Sequence, residues 1–157
     1  MKLTLFVTIL AALTSPTCAA WEYENQTDAM GRGGIKTASV TSIQPFTLNF
    51  PYKGEQYATL LIRKHPKYGN DVIFTIERGQ LICDYDDCAI TVRFDNNKPM
   101  RFTANKPADH STTHFFLEGF SRFVSSAKKA KRLQVEAVFF QQGGRILEFD
   151  ITGLKWP

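Results

Sequence analysis

Apolar residues recur along this chain mostly at every second position, the repeat of a strand with one buried face. Over residues 56–65, Ala58, Leu60 and Ile62 fall on one face, and Tyr57, Thr59, Leu61 and Arg63 on the other. Val72, Phe74 and Ile76 repeat the pattern, as do Ile90, Val92 and Phe94. Leu133, Val135, Ala137 and Phe139 then form one such row, and Leu147, Phe149 and Ile151 another. Turn-forming residues separate the rows: Pro51-Tyr52-Lys53-Gly54, Lys67-Tyr68-Gly69-Asn70, Asp95-Asn96-Asn97-Lys98-Pro99 and Gln141-Gln142-Gly143-Gly144. Residues 100–104 and 113–117 are read as short strands. Residues 21–36 are read as an opening strand and a glycine-bearing loop. Residues 37–49 carry β-branched side chains that suit a strand.

Residues 119–131 break the alternation. Phe120, Phe123, Val124 and Ala127 stand at i, i+3, i+4 and i+7, one face of an amphipathic helix. Lys128, Lys129 and Lys131 would crowd its last turn, where cations favour the carbonyl end. The expected fold is mainly β: an antiparallel sandwich or half-barrel of about eight strands, with one helix near residues 119–131 covering an opening. No internal repeat and no second domain interrupt residues 21–157.

The N-terminus adds a compartment. Lys2 precedes an apolar run over residues 3–13, too short to span a bilayer. Ser15-Pro16-Thr17 breaks it, and Cys18-Ala19-Ala20 offers small residues for cleavage before Trp21. Residues 1–20 are thus read as a signal peptide, and the product as periplasmic or secreted, with no transmembrane segment. Lipidation at Cys18 would want an aliphatic residue where Ser15 stands. Of the three cysteines, Cys83 and Cys88 remain after cleavage. An even pair in an exported chain is expected to be oxidised. Residues 81–95 then read as two strands joined by a short acidic turn, Asp84-Tyr85-Asp86-Asp87, pinned by that disulfide. A ring this short contributes about 2 kcal/mol at most. Its larger effect is to freeze the acidic tip.

Charge narrows the partners only mildly. The formal net charge is +4 and falls by one when Lys2 is removed. Together with export, that disfavours nucleic acid. It allows an acidic protein surface, anionic lipid or an anionic envelope polymer. The candidate contacts are Asp84, Tyr85, Asp86 and Asp87, with Tyr85 at the centre, and the basic run Lys128, Lys129, Lys131 and Arg132. Arg63-Lys64-His65-Lys67 is a second basic run. The acidic tip lacks the ligand number and the glycine of a calcium loop. His110 and His114 would share a helical face, but Ser111-Thr112-Thr113 is poor helix material and no third ligand is evident. Asp109-His110-Ser111 holds triad residue types, yet adjacent residues cannot align those groups. Gly31-x-Gly33-Gly34 lacks the strand and helix of a phosphate loop. Asn25-Gln26-Thr27 is a glycosylation sequon, relevant only in a eukaryotic secretory route. No catalytic residue, metal site or cofactor is expected.

From Cys83 onward the order of features resembles a known family. A cysteine strand leads to Val92-Arg93-Phe94-Asp95, then Phe115-Phe116-Leu117, a short helix, a strand, and Phe149-x-x-x-Gly153-Leu154. This resembles the C-terminal half of the small exported VasI-like proteins that accompany type VI secretion systems. The likeness covers about half of the chain, and the family's further cysteines are missing here. It implies a periplasmic accessory protein of a Gram-negative cell and transfers no site residue. The expected function is a non-catalytic exported binding protein acting on a protein partner, of inhibitor or immunity type. The alternatives are a component of a secretion or envelope assembly, and an envelope-active enzyme whose residues are scattered along the chain.

Overall fold

The computed structural model describes residues 21–27, 30–31, 33–84 and 86–157. The expected signal peptide with Cys18, and Tyr85 of the acidic turn, lie outside the described residues. The strands are β1 (Glu22–Thr27), β2 (Gly34–Thr41), β3 (Phe46–Thr47), β4 (Glu55–Gln56), β5 (Ala58–His65), β6 (Gly69–Ile76), β7 (Leu81–Ile82), β8 (Ala89–Phe94), β9 (Met100–Asn105) and β10 (His114–Leu117). The helix α1 (Phe120–Ala127) follows, then β11 (Arg132–Phe139) and β12 (Gly143–Asp150). The fold is mainly β, as the alternation predicts. There are more strands than the expected eight, and three of them are only two residues long.

One antiparallel sheet runs β1-β2-β5-β6-β10-β9-β8-β11-β12, with β7 attached to β11. The sheet curls so that the end of β2 meets β12. Ser42 bridges Phe149, and the Ile43 N–H donates to the Glu148 carbonyl at 2.7 Å. That contact does not extend, so the barrel stays open. The rows predicted to be buried all face the inside of the curl: Leu60, Ile62, Val72, Phe74, Val92, Leu133 and Phe149 are completely enclosed. Pairing fixes which face is inside, because a one-residue slip would turn every row outward. The buried Ser42 hydroxyl is satisfied, donating to the Gln44 carbonyl and accepting from the Ala58 N–H. The chain ends are tied together. Trp21 Nε1 donates to the Ile151 carbonyl, and the Lys155 N–H donates to the Tyr23 hydroxyl.

The helix occupies Phe120–Ala127, inside the predicted span, and buries Phe123, Val124 and Ala127. It stops early for a local reason. The hydroxyls of Ser125 and Ser126 both bond the Arg122 carbonyl, and Ala130 is drawn into the core. Asp95 Oδ1 then accepts the N–H groups of Lys131 and Arg132, which sets the start of β11. The expected lysine-rich last turn is therefore absent: Lys128 is the C-cap, and Lys129 and Lys131 lie beyond it.

Gly79 makes the turn from β6 into β7 with φ +125°, a conformation that side chains resist. An added Cβ would sit 2.7 Å from Leu48 Cδ1 and 3.2 Å from Ile76 Cδ1. Gly79→Ala is expected to lower the unfolding free energy by about 1–3 kcal/mol in urea titration. A loss below about 0.5 kcal/mol would mean that Leu48 and Ile76 yield without cost.

Candidate binding face around the disulfide

Cys83 and Cys88 are bonded, with S–S 2.00 Å and Cα–Cα 4.8 Å. The two strands expected on either side of the acidic turn are both present, but they are not paired with each other as a disulfide hairpin would be. Both pair with β11. Leu81 and Ile82 face Phe139 and Val138, while Thr91 to Phe94 face Glu136 to Leu133. Thus β7 and β8 lie end to end along β11, and between Ile82 and Thr91 the chain leaves β11 opposite the single residue Ala137, with Ala89 and Ile90 still paired to Thr103 and Phe102 of β9. The disulfide pinches the two ends of the excursion together, so the chain rejoins its own track.

Register explains why the detour sits there. The Phe140 N–H donates to the Gln80 carbonyl, and the Arg132 carbonyl accepts from the Asp95 N–H. Even-numbered residues of β11 therefore turn their backbone groups toward β7 and β8. Ala137, an odd residue, turns its own toward β12, where it pairs with Arg145. The gap opposite Ala137 leaves no backbone group unmet, so the excursion costs no ladder hydrogen bond.

The gap opens as a cleft of about 300 Å³, with Phe115 and Ala137 in its lining. Asp84, Asp87, Glu136 and Arg101 are the charged groups around it. Asp84, Asp86 and Asp87 are all exposed. Arg101 Nη2 donates to Asp87 Oδ2 at 2.7 Å, but with both side chains mostly in water this pair adds little to stability. Among the described residues, no three His, Cys, Asp or Glu side chains converge closely enough to hold a metal ion. The cleft is a shaped, acidic-rimmed depression on a fixed frame.

A row that sequence reading did not single out flanks this cleft. Ile82, Val138, Phe140 and Ile146 point outward and are between 38% and 64% exposed. Val138 is directly opposite Ile82 on one side and Gly144 on the other. Ile146 is opposite Glu136, one diagonal step from Val138. The signal was present in Ala137-Val138-Phe139-Phe140, where apolar residues fill both parities of a strand that buries only one.

The basic run stands elsewhere. Lys128, Lys129, Lys131 and Arg132 are exposed near Asp95. That is the far end of β8 from Cys88, about 20 Å away at strand rise. The acidic and basic candidates therefore stand at opposite ends of β8. Arg63 is taken up by Asp71 directly across β5 and β6, with Nε to Oδ2 at 2.9 Å. His65 Nδ1 accepts the N–H groups of Lys67 and Tyr68, holding the Pro66 turn. A broad depression of about 560 Å³ lies between that turn and the β1–β2 hairpin, and of the basic run it includes only His65 and Lys67. His110 lies in a loop with φ 60°, and His114 opens β10 beside Ser111 Oγ at 3.3 Å. The two rings do not share a helix. Asp109 Oδ1 accepts the Ser111 N–H, so it serves its own turn.

No helix among the described residues is long and apolar enough to cross a membrane. No protein-family model, no curated protein and no solved structure matches this chain.

Proposed function

We propose that this chain is a non-catalytic binding protein of the periplasm or cell exterior, acting on a protein partner through the disulfide face. One observation carries the reading. A covalently clamped acidic excursion stands beside an outward apolar row on the same strands. Apolar centres with a charged margin are the usual composition of protein contacts. A clamped loop has little freedom left to lose on docking, which favours binding without new contacts. The carboxylates of Asp84, Asp86 and Asp87 select a basic partner surface, and Val138 and Phe140 supply the desolvated centre. The signal-like N-terminus and the VasI-like order of features from Cys83 to Leu154 support the compartment.

The test uses two variants that leave the core alone. Asp84→Asn with Asp86→Asn and Asp87→Asn removes the charge, and Val138→Ser with Phe140→Ser removes the apolar centre. Wild-type protein should recover a defined partner from envelope extract. Each variant should weaken that recovery about tenfold or more. The charge variant should also flatten the salt dependence of association. Undiminished recovery with both variants would remove this face from the account.

A further inference from the structure

The curled sheet begins to close and then stops. Ser42 bridges Phe149, and the Ile43 N–H reaches the Glu148 carbonyl. Continuing that antiparallel register places Pro45 opposite Ile146. The Ile151 N–H donates to the Lys131 carbonyl, so odd-numbered residues of β12 turn toward β11. The even ones turn the other way, as the Glu148 carbonyl does. Gly144 and Ile146 therefore aim their backbone groups at the open seam. Pro45 has no N–H to give Ile146, and the ladder cannot run on. The chain turns off into β3 instead.

A groove of about 440 Å³ results, with Gln44, Pro45 and Phe46 on one wall and Arg145 and Ile146 on the other. Arg145 Nε is buried there and has no hydrogen-bond partner. The nearby Glu148 does not serve it: as an even residue of β12 it stands on the opposite face from Arg145, where its Oε1 accepts from Gln134 Nε2 at 2.6 Å. Among the described residues the seam thus leaves two demands unmet: strand-spaced backbone groups at Gly144 and Ile146, and a guanidinium N–H.

We propose that this seam binds an extended segment of a protein partner that carries a carboxylate side chain. The segment adds as a strand to Gly144 and Ile146, and its carboxylate pairs with Arg145. An unpaired strand edge is a template for exactly one kind of ligand backbone, an extended one. A guanidinium N–H is best met by a planar carboxylate. An acid opposite Arg145 in the added strand falls on the same side of the sheet. A second copy of this chain would not meet both demands. Two β12 edges paired through their even residues set Arg145 against another Arg145, or against Gly143 or Leu147. The site adjoins the disulfide face, since Ile146 also belongs to its outward apolar row, but it uses the backbone edge of β12 and Arg145 and none of the acids of the excursion.

The experiment is amide hydrogen exchange on the isotope-labelled protein with two capped probe peptides, Val-Thr-Glu-Thr-Val and Val-Thr-Gln-Thr-Val. In the free protein the Gly144 and Ile146 amides should exchange rapidly. The glutamate peptide should slow both by about tenfold or more, and the glutamine peptide far less. Arg145→Gln should erase the difference between the peptides. Ile146→Pro should abolish protection at Gly144 by either peptide, because it removes an edge N–H that β11 does not use. Three results would overturn the proposal: amides already protected in dilute free protein, protection that grows with protein concentration alone, or equal response to both peptides.

Discussion

Phe123→Ala is expected to lower the unfolding free energy by about 3–5 kcal/mol, the largest single-residue effect expected for this chain. Phe123 is fully enclosed, and its ring stands edge-on to Phe94 at 5.3 Å and to Phe102 at 5.4 Å. Those partners belong to β8 and β9, so one side chain joins the helix to the inner face of the sheet. Phe123 is the largest side chain that the helix buries, and the helix relies on packing for its stability. It is eight residues long, and its N-cap Gly119 supplies no side-chain hydrogen bond. A helix this short is not stable in water without packing. Removing the ring takes away transfer energy and edge-on aromatic contacts, and leaves a cavity that rigid strands cannot fill. Phe123→Leu keeps most of the volume and should cost about 1–2 kcal/mol. Urea titration of both variants measures this, with the near-ultraviolet signal of Trp156, which packs on Phe120, reporting on helix docking. A loss below about 1 kcal/mol for the alanine variant would make the helix a passenger on a self-sufficient sheet.

What the pattern of side chains revealed and what it concealed follow from how far apart the deciding contacts are. The buried rows were legible because alternation is local, and the strands of the curled sheet, apart from the fully exposed β1, turn their inner residues to one core. The i, i+3, i+4, i+7 stripe of Phe120, Phe123, Val124 and Ala127 was legible for the same reason. Strand partners were not. Leu81 and Ile82 pair with Phe139 and Val138, far along the chain, while their near neighbours in β8 merely continue the line. A cysteine pair around an acidic turn looks like a hairpin locally. Only the β11 register shows it to be a detour. Asp95 likewise reads as a turn residue, although its carboxylate organises Lys131 and Arg132 far downstream. Of the candidate contacts, the acidic excursion was visible as a charged, cysteine-bounded stretch. The apolar row of Ile82, Val138, Phe140 and Ile146 was hidden, because outward apolar residues look like core residues until the inner face is known.

Replacing both cysteines, Cys83→Ser with Cys88→Ser, should cost about 2 kcal/mol of stability and leave most of the sheet untouched. The cost is small because the tied loop is short, so little freedom is removed from the unfolded chain. Its location is specific. β7 holds its place by two paired residues, by the Phe140 N–H to the Gln80 carbonyl, and by the Leu81 N–H to the Thr112 carbonyl. Once the pinch is gone, residues 83–90 no longer have to return to the same track, and β7 becomes the weakest part of the ladder. Hydrogen exchange should therefore speed up at Val138 and Phe140, whose N–H groups face β7. It should stay slow at Gln134 and Glu136, whose N–H groups face β8. The same boundary tests the functional reading. A loosened β7 carries Ile82 and Asp84 away from Val138, so partner binding should weaken even though all three acids remain. Uniform loss of protection across β11 would mean that the disulfide supports the whole fold. Unchanged partner binding would mean that the clamp contributes nothing to recognition, and that the carboxylates act without being held in place.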